Sequence, residues 1–378
     1  MGNTMLPLVL GTLALLVLQF IVVRGHGRAR AVIGVFVVGL AVGVLALNSW
    51  LAPPRFLPAA STSSLAKSVA NDIRQGLGTP DLEGFFILDG GSYSARGVDD
   101  AMLEQRLSRR LGAPIQVLTL SLAGGNQLER WKVLENALAL LDRDERDAFL
   151  ASRKTLLLEI HAQYDRYPLV QLRRNRYSDR AYAYLDTEVA LEVARTERGR
   201  MEPDEYRRLW IDVLGHAMVN IMNIGLATRV VSAEDVLPGG GYDPLDGPAR
   251  GYRFKGTKSA RQSLKQPPLE AEELPWHNIE RRRARYARVL DGGSKPQIIY
   301  FSVPTPRTFD LTYARGFCAA VSGFSCIDHS HWGLLERLDD KRFWYDDGHM
   351  QRRGAEIYTR WLSSRLAKAV KQTGEQGT

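Results

Sequence analysis

Residues 85–97, which read FFILDGGSYSARG, join a short apolar run to a turn rich in glycine and serine. Four apolar residues bounded by turn residues are typical of a buried strand in a parallel sheet. Open parallel sheets build their sites at the carboxyl ends of the strands, so Ser92 stands where a catalytic hydroxyl could project into a crevice. On its own, a Gly-Gly-Ser sequence is more typical of an ordinary turn.

Apolar runs and helical patterns alternate through the rest of the chain. Further strands are predicted at 115–122, 155–160 and 297–303, and helices at 99–111, 127–141 and 351–368. This alternation favours an α/β fold in which a parallel sheet is covered by helices on both faces, a three-layer domain. The pattern loosens at about 166–295, which we predict to be a helical insertion.

The first 55 residues differ from the rest. Two uncharged runs, 5–23 and 31–50, each approach the ~20 residues that a helix needs to cross a bilayer. A cleaved signal peptide fits the first run poorly, because no basic segment precedes it. The link RGHGRAR carries three arginines, which are retained on the cytoplasmic side. We therefore expect an N-terminal transmembrane hairpin with a cytoplasmic link.

This reading gives the predicted domain organisation and location. The hairpin occupies 1–55, a linker 56–84, and a domain 85–378 that lies outside the cytoplasm. The protein is expected in the inner (cytoplasmic) membrane, in contact with the lipid bilayer. Both termini and the main domain would face the periplasm or the cell exterior.

The positive charge of the chain does not indicate nucleic-acid binding. The 378 residues carry 50 Lys and Arg against 42 Asp and Glu, a formal charge of +8. Four of the 50 lie in 1–55, where no acidic residue occurs, which leaves an ordinary balance of 46 against 42. The clusters at 172–176 and 281–288 are interpreted as solvated faces or as contacts to anionic lipid or polymer.

The two cysteines, Cys318 and Cys326, enclose a short loop. A disulfide and two free buried thiols are about equally compatible with this spacing. Neither cysteine has neighbours at metal-ligand spacing, and we expect no metal ion or cofactor.

Two further motifs could take part in catalysis. Gly124-Gly125-Asn126 follows a predicted strand and precedes a helix, so its backbone N–H groups could receive an oxyanion. Asp346 and His349 lie three residues apart on a loop before the last helix, and such a histidine can take a proton from a serine while the aspartate orients its ring. Five other histidines are interpreted as structural or solvated: His161, His216, His277, His329 and His331. Of these, His329 and His331 are near enough in sequence to compete with His349.

The three motifs, in this order, resemble those of the SGNH (GDSL) hydrolase superfamily over about 85–160 and 297–368. DGGSYSARGVD is similar to the nucleophile block, LSLAGGN to the glycine block, and YDDGHMQRRGAEIYTRWL to the Asp-x-x-His block. The resemblance implies a flavodoxin-like sheet with Ser92 as nucleophile, His349 as base and Asp346 as its orienting partner. It also implies that N–H groups of Gly124 and Ser92 bind the oxyanion, with Gly125 as the alternative and Asn126 as a weaker candidate.

Two features depart from the superfamily pattern. Gly91 stands where an aspartate usually precedes the serine, and the third block is replaced by Glu159-Ile160-His161-Ala162-Gln163-Tyr164. The usual oxyanion asparagine is therefore absent from its place, and Gln163 or Asn126 could substitute. In both departures the chain resembles the membrane-anchored, DltD-like branch of the superfamily.

The resemblance to that branch implies a function in the cell envelope. We expect a serine-dependent acyltransferase or esterase that acts on acyl esters of a cell-envelope polysaccharide. A membrane-bound O-acyltransferase is a candidate partner, and nucleic acid is not expected as one. The alternative is a non-catalytic SGNH-like scaffold or glycan-binding protein, which the missing third block favours.

Overall fold

The computed structural model describes residues 61–166, 242–249, 252–254, 262–305 and 308–376, with residue 39 and some positions between 189 and 213. Contacts divide the chain into two compact units, 1–63 with 176–236 and 64–175 with 237–378. In the first unit, the described positions include three buried valines: Val189, Val193 and Val213. The sheet and the site discussed below belong to the second unit.

A five-stranded parallel sheet forms the centre of the second unit. Its strands are β1 Gly84–Asp89, β2 Ile115–Thr119, β3 Lys154–Glu159, β4 Gln297–Phe301 and β5 Ser325–Ile327. They lie in the order β2-β1-β3-β4-β5, and every neighbouring pair is parallel. This is the flavodoxin-like strand order. The predicted parallel α/β fold is confirmed, and β5 is a strand that the sequence did not predict.

The central strands are buried on both faces, as the apolar runs predicted. All six residues of β1 and of β3 are buried. On β1, Leu88 pairs with Thr119 of β2 and Asp89 pairs with Leu158 of β3. The strand order reverses at β1 and β3, so the crevice at their carboxyl ends is where this topology usually binds ligands.

Helices connect the strands and cover the sheet. They are α1 Ser61–Leu77, α2 Ser92–Gly97, α3 Asp100–Leu111, α4 Gln127–Ala139, α5 Arg143–Ala151, α6 Ala162–Arg166, α7 Trp276–Val289, α8 Thr308–Ala320, α9 Trp332–Arg337 and α10 Arg352–Gln376. The helix predicted from Asp99 begins with that residue as N-cap, where its carboxylate accepts the Met102 N–H, and it ends at Gly112 with a left-handed φ of 82°.

Alternate residues of β1 contact helices on opposite faces. Phe86 and Leu88 share a core cluster with apolar residues of α3 and α10. On the other face, Phe85 makes an edge-to-face contact with Phe149 of α5 at 5.0 Å between centroids. Because successive side chains of a strand point to opposite faces, this division gives the three layers.

The predicted fold class also contained a transmembrane hairpin, and this part is corrected. Among the described residues, no helix is long and apolar enough to cross a membrane. The longest of the described helices, α10, has 25 residues, but charged side chains such as Arg353, Arg360 and Lys368 recur along it. Apart from residue 39, the apolar runs at 5–23 and 31–50 lie outside the described residues.

The two cysteines are paired. Cys318 near the end of α8 and Cys326 in β5 form a disulfide with 5.3 Å between their Cα atoms. The bond ties the short edge strand to the helix that precedes it. Of the two alternatives left open by the sequence, the structure has the disulfide.

Candidate active site

Ser92, His349 and Asp346 form one hydrogen-bonded chain. The Nε2 atom of His349 lies 3.0 Å from the Oγ atom of Ser92. On the other side of the ring, Nδ1 lies 2.9 Å from both carboxylate oxygens of Asp346. In this arrangement a neutral histidine with its proton on Nδ1 can accept the serine proton at Nε2, and the carboxylate can stabilise the resulting imidazolium.

The turn after β1 requires glycine. A Cβ atom at Gly90 would collide with Ser94 and lie 2.6 Å from the Oε2 atom of Glu159, and one at Gly91 would lie 2.9 Å from the ring of Tyr164. The chain therefore passes too close to its neighbours for any side chain at these two positions.

Glu159, the last residue of β3, accepts hydrogen bonds from the turn that carries Ser92. Its Oε2 atom accepts the Gly91 N–H at 2.5 Å and the Ser94 hydroxyl at 2.8 Å. Burial raises the pKa of Glu159, against the opposing effects of the Ser94 hydrogen bond and of Arg130. Ser92, the first residue of α2, thus lies between two residues, Gly91 and Ser94, that are hydrogen-bonded to Glu159.

An ion-pair network lies beneath this turn. Asp89 is completely buried, and its carboxylate contacts Arg130 Nε at 2.5 Å and Arg282 at 2.7 Å. Arg282 also donates to the backbone oxygen of Glu159 at 2.6 Å, and Arg130 donates to that of Gly125 at 3.2 Å. Burial acts to raise the pKa of Asp89, but the two guanidinium groups outweigh it and lower the pKa. The network joins the ends of β1 and β3 to the glycine block.

Backbone N–H groups of its own loop bind the Asp346 carboxylate. One carboxylate oxygen of Asp346 accepts the N–H groups of Gly348 and His349, each at 2.8 Å. Burial acts to raise the pKa of Asp346, but the hydrogen bond from the His349 ring and these N–H groups lower it overall. Asp346 is therefore an anion at neutral pH, as an orienting partner for histidine needs to be.

Aromatic rings fix the plane of the histidine. Tyr93 stacks on His349 with centroids 5.2 Å apart and 15° between the planes, and its other face stacks on His161 at 4.5 Å. The Nε2 atom of His161 lies 3.5 Å from Asp310. A Cβ atom at Gly348 would lie 2.6 Å from the Tyr93 ring, so the loop and the ring are in close contact.

The Gly124-Gly125-Asn126 turn lies beside the turn that carries Ser92. The Leu122 N–H donates to the Gly90 oxygen at 3.3 Å, which joins the two turns. Gly124 has a left-handed φ of 67°. The Gly125 N–H donates to the Leu122 oxygen at 3.0 Å, so it is engaged within its own turn.

The side chain of Asn126 acts as a helix cap. Its Oδ1 atom accepts the N–H groups of Leu128 and Glu129, at 2.9 and 3.0 Å, as the N-cap of α4. Of the groups considered for the oxyanion, the Gly125 N–H is therefore engaged in this turn, whereas the cap is made by the Asn126 oxygen and not by its NH2 group. The oxyanion roles of Asn126 and of Gly124 stay predictions.

Residues after β3 contribute aromatic and imidazole rings next to Tyr93. Gln163 is exposed, and its backbone N–H donates to Nδ1 of the buried His161 at 3.2 Å. Tyr164 contacts His161 with centroids 4.7 Å apart. This part of the chain contributes rings and the start of α6 next to the site. The role of Gln163 as an oxyanion donor stays a prediction.

A segment at 242–249 connects the two halves of the site. The Asp243 N–H donates to the oxygen of Ala95 in α2 at 2.7 Å, and the Ala249 N–H donates to the oxygen of Tyr345 at 2.8 Å. It therefore contacts both the helix that begins at Ser92 and the loop that carries His349.

The two competing histidines lie elsewhere. His329 is buried, its Nδ1 atom lies 2.7 Å from the hydroxyl of Ser302, and burial lowers its pKa to about 4. His331 is exposed before α9. His277 belongs to α7, and His216 lies outside the described residues. The histidine that contacts the Ser92 hydroxyl is thus His349, as predicted for the pair.

In the part of the chain that the structure describes, no group of three or more His, Cys, Asp and Glu side chains is arranged to hold a metal ion. No protein-family model matches the chain, and no curated protein matches it significantly in sequence.

Three supporting residues were not recognised from the sequence: Asp89, Glu159 and Arg282. The signal for the first two was present, because a carboxylate at the end of an otherwise apolar buried strand requires a partner. Arg282 lies in the basic run interpreted as a solvated face, and the structure buries it. Charge alone does not show which arginine of such a run is buried and which ones face solvent.

Proposed function

We propose that this protein is an SGNH-like serine acyltransferase or esterase that acts on acyl esters of a cell-envelope polysaccharide. The observation that carries the proposal is the chain from Ser92 through His349 to Asp346, at the switch point of a parallel sheet. This arrangement is suited to acyl transfer through a covalent intermediate.

In the proposed reaction, Ser92 Oγ attacks the ester carbonyl carbon while His349 Nε2 takes the hydroxyl proton. The tetrahedral intermediate collapses as the bond from carbon to the leaving oxygen breaks, and His349 returns the proton to that oxygen. An acceptor hydroxyl then loses its proton to His349 and attacks the acyl-Ser92 ester, which frees the serine as His349 protonates its oxygen. A sugar hydroxyl as acceptor gives transfer, and water gives hydrolysis.

The location and the substrate class rest on different observations. The Cys318–Cys326 disulfide supports an extracytoplasmic location, because disulfides persist in oxidising compartments. The polysaccharide substrate rests on the resemblance of the motifs around Ser92, Gly124 and His349, and so does the membrane-bound O-acyltransferase as a partner.

The second candidate is a non-catalytic scaffold or glycan-binding protein. It is favoured by the oxyanion side of the site, where the Gly125 N–H is engaged within its own turn. Loss of one oxyanion donor typically costs about 2.7–4 kcal/mol of transition-state stabilisation. The two candidates differ in whether Ser92 is nucleophilic.

Labelling with a fluorophosphonate distinguishes them. The folded full-length chain should be labelled at Ser92, as located by peptide mass spectrometry, and Ser92→Ala should not. The neighbouring Ser94 is an internal control, because its hydroxyl is buried against Glu159 and should stay unmodified. Absence of labelling in a chain that shows a cooperative thermal unfolding transition would favour the scaffold.

A further inference from the structure

An open groove lies along the edge of the sheet, away from the residues of the serine site. The described residues enclose a volume of about 730 Å³ between β5, the start of α9 and one face of α10. This volume is in the range of small-ligand sites. Ser330 and His331, which follow the carboxyl end of β5, form part of its wall. The groove therefore begins on the side of the sheet where the strands have their carboxyl ends, which is also the side of Ser92.

One wall of the groove is a stripe on α10. Trp361, Arg365, Lys368 and Gln372 line it, at spacings of four, three and four residues that place them on one helix face. The guanidinium of Arg365 lies over the ring of Trp361 at 5.6 Å, which holds this cation against the wall. From the first residue to the last, the stripe spans roughly 16 Å at 1.5 Å per residue.

Aromatic surface on the other wall is open to solvent. Trp332, the first residue of α9, is 40% exposed and lines the groove. His331 beside it lies 6.4 Å from the ring of Trp361. An exposed indole is a surface on which the apolar face of a ligand can stack.

The charge of the groove favours an anion. Among the described residues that line it, Arg365 and Lys368 are permanent cations, and Asp328 is the single carboxylate. One oxygen of Asp328 is occupied by the N–H of Ser330, at 2.8 Å, and by its hydroxyl. A peptide added to the sheet fits less well, because the edge strand β5 has only three residues to pair with it.

We propose that this groove binds a stretch of acidic polysaccharide, with a sugar ring on Trp332 and its carboxylates on Arg365 and Lys368. The inference rests on the proposed function, because it names the class of polysaccharide that the serine site serves. The groove would hold the polymer on the enzyme while another part of it reaches Ser92.

Binding of oligogalacturonate to the full-length Ser92→Ala chain tests the proposal, since this variant keeps the groove and lacks the serine hydroxyl. Isothermal titration should show binding that weakens as salt rises. The carboxyl-reduced, neutral form of the same oligosaccharide should bind at least several-fold more weakly. Trp332→Ala should weaken binding, and Lys368→Gln should weaken it roughly three- to fivefold, as loss of one exposed charge contact does.

Lys371→Gln is the matched control, because Lys371 is an exposed lysine of the same helix that does not line the groove. It should bind oligogalacturonate like the parent chain. Equal effects of the two lysine substitutions, equal binding of the neutral oligosaccharide, or no binding of oligogalacturonate would each overturn the proposal. Preference for an extended peptide would do so as well. None of these results depends on Ser92, so failure here is distinct from absence of fluorophosphonate labelling.

Discussion

The imidazole of His349 lies within hydrogen-bonding distance of the Ser92 hydroxyl, 3.0 Å away, although 257 positions separate them in the chain. Two structural features bring them together. The sheet places the Ser92 turn at the carboxyl end of β1, and α10 packs against α3 so that its preceding loop ends over that turn. The contact is therefore a product of the whole fold.

The role of Asp346 can be isolated without removing its shape. Asp346→Asn should lower the rate of fluorophosphonate labelling of Ser92 by about 10³- to 10⁴-fold, because an amide no longer holds the histidine tautomer that accepts the serine proton. The measurement is the labelling rate at neutral pH. An unchanged rate in the folded variant would show that the carboxylate does not act on His349.

Contact between Gly348 and Tyr93 positions the histidine. In Gly348→Ala the new methyl group would lie 2.6 Å from the Tyr93 ring, so either the ring or the His349 loop has to move. We expect the labelling rate of Ser92 to fall at least tenfold, in line with the cost of displacing a catalytic group. Gly78→Ala is the control, since a Cβ atom there meets nothing closer than 3.5 Å. Similar rates for the two variants would contradict a positioning role for this contact.

Loss of one arginine from the buried network should be costly. Arg282→Met leaves Asp89 with Arg130 alone and removes the donor to the Glu159 oxygen. We expect the free energy of unfolding in urea to fall by about 3 kcal/mol, the range found when a buried ion pair is broken.

The exposed Arg288 of the same helix α7 provides the comparison for that loss. Arg288→Met should cost less than about 1 kcal/mol. If the two substitutions lower the free energy of unfolding equally, the ion pair between Arg282 and Asp89 does not stabilise the fold as proposed.

Protonation of His329 should make stability depend on pH. Burial lowers its folded-state pKa from 6.5 to about 4. Between these values the unfolded chain binds the proton more readily, so stability is fully present above pH 6.5 and declines as the pH falls towards 4. The loss is on the order of 3 kcal/mol. As the pH is lowered from 6.5 to 4, the free energy of unfolding should decrease less steeply in His329→Gln than in the parent chain. Parallel slopes would contradict the role of His329 in this pH dependence.

The main strands and the three motifs could be predicted because each depends on local pattern. The apolar run at 85–88 is observed as β1, the run at 155–160 as β3, and Gly112 ends a helix where its position indicated. By contrast, the three residues of β5 are too few to show a period, and the strand forms through pairing with β4. Its place in the sheet is a tertiary effect.

The candidate site shows the same division. The sequence suggested which serine, histidine and aspartate to join, because their order along the chain is that of a known pattern. It did not suggest that Tyr93 would stack on His349 or that Glu159 would receive the Gly91 N–H, because these contacts depend on how β1 and β3 lie side by side. The basic run on α7 was interpreted from charge alone, and packing decided that Arg282 is buried.

Trapping the covalent intermediate tests the central claim most directly. The full-length chain is mixed with p-nitrophenyl acetate, quenched in acid within the first turnover and analysed by tandem mass spectrometry. We expect a single acetyl group on Ser92 in the parent chain and none in Ser92→Ala. Acetylation that is spread over other side chains, or that is equal in the two proteins, would contradict the assignment of Ser92 as the nucleophile.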